Sequence, residues 1–249
     1  MSTNWMRPSW LTARNWPALL ALAACAGALP AAHAETEIVC LIEPSLEVNV
    51  GTPVDGVLEV VNVDRGDAVR AGQLLARLNT SVEAAAVDFQ AAKSEFGARK
   101  VARNQDLNAR KLISDHDLDE MTTEQKLAEL ELRQRKEVLN LRSIVSPVDG
   151  VVVDRYRSKG DLVKQERIFR IVQIDPLHVE TILPASYFGR VRPGQSHTVR
   201  PQLSAGSFKA QVSHVDKVID PASGTFRVRL ILPNPKSSVP SGQRCSVHF

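Results

Sequence analysis

An α+β fold, mainly β, is predicted for this chain: a β domain written in two halves, an antiparallel coiled-coil hairpin of helices between the halves, and a small antiparallel β-barrel after them. Three observations predict it. PVDGVLEVVNVDRGDAVRAGQLLARL, residues 53–78, returns 94 positions later as PVDGVVVDRYRSKGDLVKQERIFRIV, residues 147–172, without a gap and with eight of 26 positions identical. Between the copies, residues 81–142 contain no proline, a single glycine and mostly Ala, Leu, Glu, Gln, Lys and Arg, the residues that lose least on entering a helix. From Ile174 to Phe249, short partly alternating runs are punctuated by proline and glycine, as for short antiparallel strands.

The chain begins with Arg7 and Arg14, followed by the apolar PALLALAACAGALPAAHA, which reads as a secretory signal over residues 1–34. Cleavage after Ala34 is one reading. A second is lipidation, because Leu22-Ala23-Ala24-Cys25 fits the pattern after which a bacterial lipoprotein is cut and Cys25 acylated. Either way the chain is exported. Loss of the two leader arginines lowers the net charge from +3 to +1, which gives no general reason to expect nucleic acid as a partner. Cys40 and Cys245 then remain, either as one disulfide in an oxidising compartment or as two buried thiols.

Residues 35–48 read as an N-terminal strand segment, 49–79 and 143–173 as the two β halves, 80–142 as the hairpin and 174–249 as the barrel. The repeat gives the halves one fold. Gly56, Gly66, Gly150 and Gly160 fall where a turn is expected to need positive φ. The recurring Asp55, Asp67, Asp149 and Asp161 sit at turn positions, where bonding to local backbone N–H groups explains them better than catalysis does.

In the helical segment Val82, Ala85, Phe89, Ala92 and Phe96 step by three and four, as do Leu118, Met121, Gln125, Ala128 and Leu132, with Leu139 seven residues further on. Both sets predict packing along one narrow seam. Thr80 with Glu83, and Ser114 with Asp117, make capping-box patterns that start each helix. Arms of about 30 residues reach about 45 Å and cannot all pack on a small β domain. Flexible joints are expected near Asn79, Ser143 and Gln173.

Two halves carrying P-x-D-G-x-[VL] and G-D-x-V resemble biotinyl and lipoyl carrier domains, that is, a barrel-sandwich hybrid. In those carriers a tight turn between the halves displays a modified lysine; here the hairpin occupies that place, so no carrier function or cofactor is expected. A split lipoyl-like domain, an inserted α-hairpin and a following barrel behind a signal sequence resemble the periplasmic adaptor (membrane fusion protein) family of efflux and secretion systems. The resemblance covers nearly all of the mature chain. Arg103, Leu107 and Ser114, in RNQDLNARKLIS, stand at the R-x3-L-x6-S spacing that such adaptors use at the hairpin tip to meet a TolC-type outer-membrane channel. Each also has a plainer reading: Ser114 as a helix cap, Leu107 as seam packing, Arg103 as a solvated arm residue. VIDPASGTFRVRLILPNP and VPSGQRCSVHF resemble the family's barrel close.

The resemblance implies a non-catalytic conduit in the periplasm, associated with the inner membrane. It further implies a hexameric ring that links an inner-membrane transporter of the RND or ABC type to the outer channel. Adaptors of the pump-coupled kind usually continue past the barrel into a membrane-proximal domain, so the inner partner is the least determined expectation. The competing reading is an envelope scaffold of adaptor shape without transporter coupling. With methionine only at 1, 6 and 121 and scattered histidines, no metal site is expected.

Overall fold

A computed structural model describes residues 37–249; the expected leader, 1–34, and Cys25 lie outside the described residues. In chain order the elements are β1 (Glu37–Gly51), β2 (Gly56–Val61), β3 (Ala68–Val69), β4 (Leu74–Leu78), α1 (Ser81–Ala109), α2 (Asp115–Asn140), β5 (Ser143–Val145), β6 (Gly150–Arg155), β7 (Leu162–Val163), β8 (Arg167–Pro184), β9 (Ser196–Pro201), β10 (Phe208–Val215), β11 (Thr225–Leu232) and β12 (Gln243–His248).

The two copies of the repeat fold into one body by exchanging hydrogen bonds. β2 pairs with β7 and β3 with β6, so each copy completes the other. The exchange is reciprocal: the Gly66 N–H donates to the Val152 carbonyl at 2.8 Å, and the Gly160 N–H, its counterpart 94 residues later, donates to the Leu58 carbonyl at 2.7 Å. Likewise the Leu58 N–H donates to the Asp161 carbonyl and the Val152 N–H to the Asp67 carbonyl, both at 2.9 Å. Leu58, Val69 and Leu75 meet their counterparts Val152, Val163 and Phe169 in a single buried core. The Asp67 and Asp161 carboxylates accept from the N–H groups of Asp64 and Ser158 at 2.7 and 2.8 Å, closing equivalent turns.

The four repeat glycines divide into two kinds. Gly66 and Gly160 have φ of 95° and 93°, the left-handed region that favours glycine. Gly56 and Gly150 do not: they open strands β2 and β6, and what they supply is the absence of a side chain. A Cβ on Gly150 would stand 2.3 Å from the Val172 carbonyl oxygen, and one on Gly56 would stand 2.9 Å from Nη1 of Arg142.

That arginine anchors the hairpin. Arg142, just past α2, pairs with Glu83 in the first turn of α1 at 2.5 Å and donates to the carbonyls of Asp55 and Asn79, each at 3.4 Å. The expected Thr80–Glu83 capping box is therefore absent, since Thr80 makes no side-chain cap bond and the Glu83 carboxylate is engaged by Arg142. α1 and α2 run for 29 and 26 residues, giving arms of about 44 and 39 Å.

The α2 seam follows the expected positions, with Ala128 buried, but the α1 seam is displaced. Gln90 and Val101 are the buried residues of α1, and Gly97 lies against Gln125, where an added Cβ would stand 3.4 Å from the Gln125 Cα. Val82, Phe89 and Phe96 instead face solvent, at 74%, 74% and 57% exposure. The physical reason is closeness: a seam of Gly97, Ala128 and a Gln90 amide bonded to the Ala128 carbonyl (3.3 Å) and to Glu131 (2.7 Å) lets the backbones approach as phenylalanines would not.

The barrel closes in the order β1-β12-β9-β10-β11-β8, with β8 pairing back to β1. Its core includes Ile42, Leu177, Val179, Val199, Val228 and Leu230. The N-terminal segment is thus a wall strand of the barrel. β1 and β8 are long enough to serve both β bodies, pairing from Cys40↔Thr181 in the barrel to Gly51↔Arg167 in the half-barrel, with a register shift between Pro44 and Leu46. No loose joint exists at Gln173, which lies inside β8 and pairs with Leu46. Asn234 ties the barrel's end: its amide donates to the carbonyls of Ile174 (3.0 Å) and Val239 (2.9 Å), and its oxygen accepts from the Val239 N–H (3.1 Å).

Cys40 on β1 and Cys245 on β12 are register partners and are joined by a disulfide. It links residues 205 apart in sequence, so it constrains most of the unfolded chain. Reduction is expected to cost about 3 kcal/mol. Urea unfolding with and without reductant checks this, and two free thiols would give identical midpoints.

Candidate functional site

The hairpin's far end is built by local hydrogen bonding. α1 stops at Ala109, and the chain turns through Lys111 at φ 60°, with the Lys111 N–H donating to the Asn108 carbonyl (2.7 Å) and the Leu112 N–H to the Leu107 carbonyl (2.9 Å). The Asn108 amide spans the turn to the Asp115 carboxylate at 2.9 Å. α2 then starts on the capping box read from the sequence: the Asp117 N–H donates to the Ser114 hydroxyl (3.1 Å), and the Ser114 N–H donates to the Asp117 carboxylate (3.2 Å). Ile113 and Leu118, both half-buried, occupy the flanking positions of a hydrophobic staple.

Arg103 and Leu107, one helical turn apart on α1, are exposed on the last turns before the tip. Ser114 is not equivalent to them. Its hydroxyl also donates to the Asp117 carboxylate at 2.7 Å, so its one donor proton is committed to the cap. These bonds, the hydroxyl's first and the backbone N–H's second, hold the Asp117 carboxyl below its ordinary value of 3.8. The cap's contribution is therefore complete above 3.8 and is lost as pH falls through the lower folded value. Ser114→Ala is expected to cost about 1 kcal/mol and to speed amide exchange in the first turn of α2.

Reading the sequence missed Leu112, which is 67% exposed at the apex of the turn. The signal was available: a large apolar residue between a helix end and the next cap has no helical seam to join. A second exposed surface lies on the barrel wall, where Val39, Leu41 and Ile182 stand with Arg227 and Arg244 around an open cavity of about 890 Å³. Among the described residues, no helix is long and apolar enough to cross a membrane.

Two family models match the chain in succession: a CzcB-like barrel-sandwich hybrid domain over residues 46–173 and a CusB-like β-barrel domain over residues 176–249. The cobalt-zinc-cadmium resistance protein CzcB of Cupriavidus metallidurans is 24% identical over 198 residues, a match covering 73% of this chain and 38% of that protein. A cation efflux system protein CzcB from an Alcaligenes species is 23% identical over the same shares. The chain thus spans well under half the length of these curated relatives.

Among solved structures, a MacA–MexA chimera carrying the Pseudomonas aeruginosa MexA α-hairpin superposes with a TM-score of 0.72 at 20% identity, covering 85% of this chain and 79% of that one. A putative efflux transporter from Bacteroides eggerthii gives 0.71 at 20% identity, covering 85% and 67%. Since the matched models together cover the split β domain with its inserted hairpin and the barrel that follows, the chain belongs to the membrane fusion protein family of efflux adaptors.

Proposed function

We propose that the protein is a non-catalytic periplasmic adaptor, associated with the inner membrane, that assembles as a hexameric ring. In this reading it links an inner-membrane transporter of the RND or ABC type to a TolC-type outer-membrane channel. One observation carries the reading: Arg103 and Leu107 are exposed beside the end of a long arm whose base is clamped by Arg142 to Glu83 and to the main chain of the half-barrel. Such an arm converts a contact at its tip into a contact at a defined distance from the barrel. Leu107 supplies apolar area and Arg103 charge-assisted hydrogen bonds to oxygens of the channel's helices, with Ser114 holding the turn in shape and Leu112 adding apolar surface.

At the other end of the architecture, the barrel wall with Val39, Leu41, Ile182, Arg227 and Arg244 is the surface offered to the transporter. Apolar residues bordered by Arg227, Arg244 and Glu43, with Glu180 taken up by Arg229, suit a partner that presents charges of both signs around an apolar centre.

Affinity capture from detergent-solubilised envelopes, with the tagged full chain as bait, tests the proposal. Recovery of both an outer-membrane channel and an inner-membrane transporter is expected. Recovery of neither overturns it; recovery of the channel without any transporter leaves only the scaffold reading.

A further inference from the structure

The barrel's register lays the outward side chains of four neighbouring strands, β12, β1, β8 and β11, in rows. One row runs Arg244, Leu41, Glu180 and Arg229. In the next row, away from the half-barrel, Ser246 stands beside Val39 and Ile182 beside Arg227. Val39, Leu41 and Ile182 are 70%, 39% and 58% exposed, while Cys40 and Thr181 between them are buried. These three apolar side chains take no part in the barrel core. On the two middle strands they make the floor of the cavity of about 890 Å³, and the arginines of β12 and β11 flank it.

Charge selects the occupant. Arg229 is paired with Glu180, so that couple is neutral. Arg244 and Arg227, on opposite sides of the floor, make no ion pair among the described residues. Glu43 lies one row nearer the half-barrel, opposite His178. Burial first and Arg229 second hold the His178 imidazole below its ordinary value of 6.5, so it is neutral at pH 7. The two rows beyond Glu43 therefore carry two uncompensated positive charges beside three exposed apolar side chains.

Size narrows it further. Three strand spacings of about 4.8 Å put the flanking arginines about 14 Å apart, and the two rows lie about 7 Å apart along the strands. That is far short of the roughly 800 Å² that each side of a stable protein interface covers, whereas small-ligand sites occupy about 300 to 1,000 Å³. A transporter meeting this wall covers Glu43 and much more besides. A small ligand does not.

We propose that this trough binds a small amphiphilic anion, with an alkyl or aryl body against Val39, Leu41 and Ile182 and a carboxylate drawn to Arg227 and Arg244 by charge-assisted hydrogen bonds. Glu43 repels the carboxylate from the end nearer the half-barrel. The proposal rests on these residues and not on the transporter reading of the same wall.

Dodecanoate below its micellar concentration is the probe, titrated calorimetrically into the purified full chain in detergent-free buffer. Saturable binding at one site per chain is expected, with dodecyltrimethylammonium, the same tail on a cationic head, at least tenfold weaker. Arg227→Gln with Arg244→Gln is expected to weaken dodecanoate binding at least tenfold without strengthening or weakening that of the cation. Val39→Ser with Ile182→Ser is expected to weaken dodecanoate binding at least tenfold. All four positions are exposed, so both variants are expected to keep the wild-type circular dichroism. Absence of saturable binding to the wild type, equal binding of the two head groups, or either variant binding dodecanoate like the wild type overturns the proposal.

A dodecanoate carrying a photoreactive diazirine locates the site without any substitution. Labelling of β1 and β8 is expected; labelling confined to the exposed Phe89 and Phe96 of α1 overturns the placement. Affinity capture separates this site from the adaptor role. A chain that recovers a transporter and binds no dodecanoate loses the site and keeps the role, and one that binds dodecanoate and recovers neither partner loses the role and keeps the site.

Discussion

Arg103→Glu combined with Leu107→Asp is expected to reduce capture of the outer-membrane channel to background while leaving the helical circular dichroism unchanged. The two positions are exposed on α1, outside the seam formed by Gln90, Gly97 and Val101, so neither change removes packing that holds the arms together. The loss comes from the contact alone. Truncating a central apolar anchor and an arginine typically costs about 2 kcal/mol each in an interface, and reversing the charge adds repulsion, so a decrease in affinity of at least about 100-fold is expected. Ser114→Ala makes the informative contrast. Its hydroxyl is spent on the α2 cap, so it is expected to lower capture only in proportion to the fraying of that turn. Capture of the channel by the double variant at wild-type level would show that the tip is not the docking element.

Gly150→Ala is expected to unfold the half-barrel at far lower urea than Gly66→Ala, although the two glycines belong to the same repeat. At Gly150 the new methyl would fall 2.3 Å from the Val172 carbonyl oxygen and 2.9 Å from its carbon, both main-chain atoms of β8 that cannot turn aside. Separating β6 from β8 to make room is an overpacking cost of about 3 kcal/mol. At Gly66 nothing lies within 4 Å, and the cost is that of holding alanine at a φ of 95°, about 1 kcal/mol. Gly56→Ala lies between them in mechanism, because the nearest atom is the end of the Arg142 side chain. It is expected to loosen the hairpin clamp before it disturbs the sheet.

Much of the half-barrel was legible because a duplicated sequence encodes its own partner surface. The correspondence of Gly56 to Gly150, and of Gly66 to Gly160, could be written down before any bond between the two copies was known. Their reasons could not, since whether a glycine serves φ or close approach depends on what the opposite strand brings near it. The Ser114 cap was legible because it is contained within four residues. Thr80 looked equally good and failed, because Arg142, more than sixty positions away, competes for the Glu83 carboxylate.

The displaced α1 seam has a similar cause. An alanine-rich helix offers several stripes of similar apolarity, and choosing among them depends on which one lets α2 approach. The glycine at 97 and the amide at 90 marked the stripe that does, and reading apolar size alone selected its neighbour. Nor did 35–48 announce itself as a barrel strand, since a strand of 15 residues that divides its pairing between two bodies has no local mark at the division.

Because β1 and β8 both run unbroken from barrel to half-barrel, a load between the two bodies travels down a pair of covalent backbones rather than across a linker. A two-stranded ribbon yields readily when bent out of its plane and resists stretching and sideways flexing. The shift at Pro44 and Leu46 marks where it is expected to yield. Movement imposed on the barrel would then reach the far end of the arm as a swing about one axis, amplified by the arm's length, instead of being dissipated in every direction.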